Sequence, residues 1–100
     1  MPIFVLMTKL TPSEINDAAD RRRRGEAFMQ QVHAKAPGVK WLAHYALLGR
    51  YDFMDIYEAP DETAALKVSL ISRRQGAATA ESWLATPYEH HLKLLEELDR

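Results

Sequence analysis

The chain contains no cysteine, which excludes a disulfide framework, thiolate chemistry and cysteine-ligated metal, and makes a reducing cytoplasm the expected setting. Glycine and proline are scarce, at four and five residues, too few for a linker or a low-complexity chain. Neither sign of charge is in excess. Thirteen basic against fourteen acidic side chains leave a formal net charge of -1, so no general attraction to nucleic acid or to an anionic membrane surface is expected. There is no long apolar run either: the opening MPIFVLMTKLT lacks a basic leader and is far too short to span a bilayer. What is there, 47% apolar and 27% charged residues over 100 positions, predicts one folded domain around one hydrophobic core.

Ile3 to Lys9 is apolar and β-branched on both faces, the pattern of a central strand covered on two sides. Thr11, Pro12, Ser13 and Glu14 spell a capping box with proline at the first helical position, and Gly25, Phe28, Met29, Val32 and Ala36 then follow helical spacing until Pro37-Gly38 stops it. Whether that helix is continuous from Pro12 or broken near Asp17 to Asp20 is left open by the pattern. Val39 to Leu48 and Phe53 to Ala59 read as two strands of a hairpin turning at Gly49-Arg50-Tyr51-Asp52, where glycine tolerates a positive backbone angle and aspartate accepts backbone hydrogen bonds. Pro60 and Asp61 open a second helix through roughly Arg74, closed by Gly76, and Ala77 to Thr86 is a fourth strand. Thr86-Pro87-Tyr88-Glu89 repeats the capping-box chemistry before a last amphipathic helix ending at Leu98. The order is βαββαβ with a C-terminal helix. With right-handed crossovers it gives a ferredoxin-like α+β fold, a four-stranded antiparallel sheet with helices on one face.

That fold leaves one sheet face bare, yet the third strand carries large apolar residues on both sides. The alternation allows Met54 and Ile56 to face the helices while Phe53, Asp55 and Tyr57 face away. On that expectation a second subunit covers the two rings, and the protein is a homodimer or a higher homo-oligomer.

The signature Gly49, Tyr51, Asp52, together with Leu10-Thr11-Pro12, Ile15, Glu26-Ala27-Phe28 and Glu58-Ala59-Pro60-Asp61 in this order, resembles the GYD-domain family of small bacterial proteins. The resemblance spans nearly the whole chain and implies a dimeric ferredoxin-like α/β barrel. It departs at Thr79 to Ser82, where Ala80-Glu81-Ser82 stands in place of Thr-Glu-Thr and Thr79 in place of a basic residue, which weakens the carry-over of an anion site on that strand. It implies no reaction, because a fold does not dictate chemistry.

Six residues are candidates for a ligand site: His44, Tyr45, Tyr51, Asp52, Asp55 and Glu81. Polar groups inside strands must be paired or face a cavity. Tyr51 and Asp52 either serve the hairpin turn alone or line a pocket mouth as hydrogen-bond donor and proton acceptor. His44, Tyr45, Asp55 and Glu81 either pair across strands or surround a pocket in which His44 is a base. Arg21 to Arg24 point in nearly all directions on a helix and read as a solvated segment paired with Asp17, Asp20 and Glu26, not as a nucleic-acid surface. His90-His91 are adjacent and their rings diverge, so no metal and no cofactor is expected.

Three functions fit. The first is a small-molecule binding or sensing module. The second is a cofactor-independent enzyme of monooxygenase or isomerase type, with Trp41, Trp83, Tyr45 and Tyr57 around an aromatic substrate and His44 or Asp52 moving a proton. The third is a self-associating structural or regulatory subunit.

Overall fold

A computed structural model describes residues 1–12 and 17–100. Along them run β1 (Ile3–Leu10), α1 (Ala18–Lys35), β2 (Lys40–Ala46), β3 (Phe53–Glu58), α2 (Glu62–Arg74), β4 (Ala77–Ala85) and α3 (Tyr88–Leu98). The sheet has the order β2-β3-β1-β4 with every pair antiparallel, so the ferredoxin-like expectation holds, with β1 central. Ser13 to Glu14 of the expected first capping box, and Ile15, lie outside the described residues. α1 takes Asp17 as its N-cap, whose Oδ1 accepts from the Asp20 amide at 2.8 Å, and α2 is capped the same way by Asp61 on the Ala64 amide at 2.8 Å. Each cap is worth about 1 kcal/mol. The second capping box does not form. α3 begins after Pro87, one residue later than the box requires, and no side chain caps it.

Period-two alternation sorts the sheet into two faces. Phe4, Leu6, Thr8 and Leu10 of β1 point to the helices, and the register Phe4↔Tyr57, Leu6↔Asp55 and Thr8↔Phe53 carries β3's odd residues to the same side. This overturns the expected orientation of β3: Phe53, Asp55 and Tyr57 face α1 and α2, while Met54 and Ile56 lie on the bare face. Tyr57 is fully buried. Both faces of β3 are apolar, so β3 alone could not decide; the large buried residues of β1 do, through the register.

The core joins Phe4, Leu6, Val32, Tyr57, Ala65, Val68 and Ala80. Burying a side chain such as Leu6 or Val68 contributes about 2 kcal/mol. A row of rings crosses this face from β1 to α1: Phe4 stacks on Tyr57 at 5.7 Å, Tyr57 on Trp41 at 5.0 Å, and Phe28 meets Trp41 edge-on at 5.6 Å. The Tyr57 hydroxyl is hydrogen-bonded to Ser82 Oγ at 2.7 Å, and Ser82 Oγ to Ser69 Oγ at 2.7 Å, so these buried oxygens under α2 satisfy one another in a chain. α3 stands apart. It buries no residue, its leucines Leu94, Leu95 and Leu98 are exposed, and the molecule extends 55 Å along its longest axis.

Candidate functional site

A cavity of about 430 Å³ opens between α1 and the helix-facing side of the sheet. Its size falls in the range that holds small molecules. The sheet supplies Leu6, Thr8, Leu10, His44, Phe53 and Asp55, and α1 supplies Arg21, Arg22, Arg24, Gly25 and Phe28. Thr8 and Asp55 are each 6% exposed, so their polar atoms have little water to turn to.

Asp55 organises one wall. A bulge in β2 between Trp41 and Ala43 puts two residues, not one, between Trp41 and His44, which brings both side chains to the helix-facing side. Trp41 Nε1 donates to Asp55 Oδ1 at 3.0 Å, and His44 Nδ1 meets the same oxygen from the directly opposed position in the strand pair. The His44 pKa is raised, chiefly by this hydrogen bond and further by the Asp55 charge, while burial and the nearby Arg21 work against it. His44 therefore takes a proton more readily than a free histidine, and a buried carboxylate with an indole and an imidazole on it is a satisfied, preorganised group. Phe53 completes the wall. The His44 ring lies 5.3 Å from it, and the Arg21 guanidinium sits over its face at 5.5 Å.

The opposite wall is α1. Ala18, Arg21, Gly25 and Phe28 follow i, i+3, i+7 and i+10 along one helix face, so Arg21 belongs to the stripe that faces the sheet. The expected solvated segment is only partly what forms: Asp20 bonds both Arg23 and Arg24, yet Arg21, Arg22 and Arg24 all reach the cavity. A Cβ built on Gly25 meets nothing within 4 Å. Its missing side chain leaves the wall open at mid-helix, where glycine costs about 1 kcal/mol relative to alanine.

The six candidates divide among three places. His44 and Asp55 line this cavity. Tyr51 and Glu81 meet on the bare face, where Glu81 Oε2 accepts from Tyr51 at 2.9 Å and Oε1 accepts from Trp83 Nε1 at 3.0 Å. Those two bonds hold the Glu81 pKa below its ordinary value, the Trp83 bond most, and the bond to Glu81 pushes the Tyr51 phenol up. Tyr45 lies on the bare face as well, opposite Met54 and 54% exposed. Asp52 is taken up locally: its Oδ2 accepts from the Leu10 amide at 2.7 Å with Lys9 Nζ at 3.7 Å, while its own amide donates to Thr8 O at 2.8 Å. It fastens the end of the β2–β3 hairpin to the end of β1.

The aromatic pocket expected of Trp41, Trp83, Tyr45 and Tyr57 does not exist, because Trp41 and Tyr57 stack under the helices while Tyr45 and Trp83 are on the other face. Sequence reasoning missed Arg21, Gly25, Phe28 and Phe53 as one cluster. Their signal was present in the helical spacing of the first three, but the run of four arginines masked it.

The GYD-domain family model matches residues 4–95. The chain belongs to the GYD-domain family. It is similar, at 28% identity over 90 residues covering 87% of this chain and 90% of the relative, to a protein of Thermus thermophilus named glutamine synthetase and cystathionine beta-lyase binding protein. No solved structure matches. Within the family signature of this GYD domain, Gly49 has φ 154°, Tyr51 anchors the loop to Glu81 and Asp52 ties it to β1. The signature thus fastens the β2–β3 hairpin to β4 and to β1. No helix is long and apolar enough to cross a membrane among the described residues.

Proposed function

We propose that this GYD-domain protein is a homo-oligomeric small-molecule binding module whose ligand enters the cavity between α1 and the sheet. The observation that carries this reading is the cavity itself: about 430 Å³, walled by apolar rings, with a buried carboxylate held by Trp41 and His44. Apolar surface with a few fixed polar groups is what small-ligand sites share. His44 and Asp55 are the binding residues of the six candidates; Tyr45, Tyr51 and Glu81 belong to the subunit contact. A second copy covers the bare face, where Val5, Met54, Ile56 and Trp83 lie on one side of β1, β3 and β4, and α3 adds its exposed leucines to the association.

Amide chemical shifts recorded during a screen of small ring compounds test the site. Binders should move the amides of Thr8, Gly25, Phe53 and Asp55 first. Shifts confined to β4 and α3 contradict the reading.

The name of the Thermus relative favours a second reading, in which α3 and the bare face dock another protein. Purified glutamine synthetase and cystathionine beta-lyase, tested for binding by surface plasmon resonance, decide it: binding lost on Leu95→Asp supports a protein-docking role, and no binding to either enzyme counts against it.

A further inference from the structure

A groove of about 710 Å³ runs over the helical layer between α1 and α2. Leu70 and Ile71 line it together with the bases Lys35, Lys67, Arg73 and Arg74, and its described lining residues include no acid. Arg73 also acts on Glu81, whose pKa it helps to lower. Lys35, Lys67 and Arg74 are in no ion pair among the described residues. On α2, Lys67, Leu70 and Arg74 follow i, i+3 and i+7 along one helix face, so Leu70, 49% exposed, lies between two bases.

α3 carries the opposite pattern. Leu94, Leu95 and Leu98 form an exposed stripe, and at about 3.6 residues per turn Glu97 and Asp99 fall on its two flanks. Its last turn holds no base, and neither Glu97 nor Asp99 is in an ion pair among the described residues. Acids at this end of a helix oppose the dipole, whose C-terminal end is negative. α3 therefore gains from cations brought to it by another surface.

We infer that α3 of one copy of this chain lies in the α1–α2 groove of another, with its three leucines on Leu70 and Ile71 and with Glu97 and Asp99 against Lys67 and Arg74. The inference rests on the homo-oligomer reading and deepens it by naming the seat of α3. Charge complementarity identifies the occupant: the groove offers a leucine between bases, and α3 offers leucines between acids. The groove belongs to the helical layer and the bare face to the other side of the sheet, so both surfaces can be engaged at once. A contact of α3 with a groove is not self-complementary, so it runs from one bare-face dimer to the next. One 11-residue helix is too small a contact to hold two single chains at micromolar concentration. A dimer presents two such helices and two grooves, and the second contact is then made at high effective concentration.

Sedimentation of the full chain at micromolar concentration tests the docking. The wild type should exceed a dimer. Glu97→Lys with Asp99→Lys should weaken the association of dimers at least about tenfold, although it suits the dipole of α3 better than the wild type does. Lys67→Glu with Arg74→Glu, at two exposed positions, should do the same, and the milder Lys67→Gln with Arg74→Gln should do so in part. Mixing the two charge-reversed proteins lets each α3 meet a groove of opposite charge in the other protein, and should restore the larger species. A dimeric wild type, an α3 variant that sediments like the wild type, or losses that mixing does not reverse overturn the docking and leave association through the bare face standing. A monomeric wild type overturns both.

Discussion

His44 and Asp55 stand directly opposite each other on β2 and β3, joined by a hydrogen bond whose carboxylate is 8% exposed while the imidazole is 58% exposed. The pair therefore spans the boundary between the sheet and the open cavity. The buried carboxylate accepts from two donors, and one of them remains within reach of solvent or ligand.

The first consequence concerns pH. The folded-state pKa of His44 is raised, chiefly by the Asp55 bond, so the protonated imidazole is favoured by folding. Its contribution to stability is fully present below the unfolded value of about 6.5 and is lost as pH rises through the higher folded value. Imidazole exposure keeps the effect small. Following the His44 ring resonances by NMR from pH 5 to 9 should give a midpoint above that of free histidine in the wild type, and a lower midpoint in Asp55→Asn. An identical midpoint in the two proteins contradicts the pairing.

A second prediction concerns the hairpin. Gly49 has φ 154° with no atom within 4 Å of a built Cβ, so Gly49→Ala is penalised by backbone conformation alone, by about 1 kcal/mol. Arg50 is exposed, and Arg50→Ala should stay within about 0.5 kcal/mol. Urea denaturation of the two variants separates them, and equal midpoints count against the turn geometry.

A third separates the two faces of β3. Met54→Asp places a charge on the bare face beside Met7 and Tyr45, so it should convert an oligomer to a monomer in sedimentation while far-UV circular dichroism is retained. Phe53→Asp, one residue earlier, enters the cavity wall and should alter ligand binding instead. A wild type that sediments as a monomer at micromolar concentration removes the association from the account.

A fourth tests the buried hydroxyl chain. Tyr57→Phe deletes the bond to Ser82, but Ser82 and Ser69 still satisfy each other, so the loss should be about 1 kcal/mol. A loss above about 3 kcal/mol would mean that Ser82 depends on Tyr57 alone.

Much of the fold was legible because its signals are local. Asp61 ahead of an amphipathic run marks α2, Pro37-Gly38 stops α1, and the β-branched run at Ile3 to Lys9 marks a central strand. The orientation of β3 was not legible. Phe53-Asp55-Tyr57 and Met54-Ile56 are both suitable for a core, and the choice is made by pairing with Phe4 and Leu6, some fifty residues away in the chain. The β2 bulge was equally hidden, since nothing in Trp41-Leu42-Ala43-His44 announces that Trp41 and His44 share a face. Without the bulge and the orientation, Asp55 could be given a partner only as a guess, and the cavity it borders could not be located. Thr86 failed as a cap for a simpler reason: Pro87 took the N-cap position, and the hydroxyl was left one residue short.

The central claim is that ligands occupy the space Gly25 leaves open, and one measurement addresses it: calorimetric titration of a ring compound found in the amide-shift screen into the wild type and into Gly25→Leu, with melting temperatures taken on both. The leucine side chain enters the cavity from α1, and replacing a mid-helix glycine gains up to about 1 kcal/mol of helix propensity. The account predicts an equal or higher melting temperature together with at least about a tenfold loss of that compound's affinity, or about 1.4 kcal/mol. Unchanged affinity in a stably folded Gly25→Leu protein contradicts it, because the ligand then binds somewhere other than this cavity.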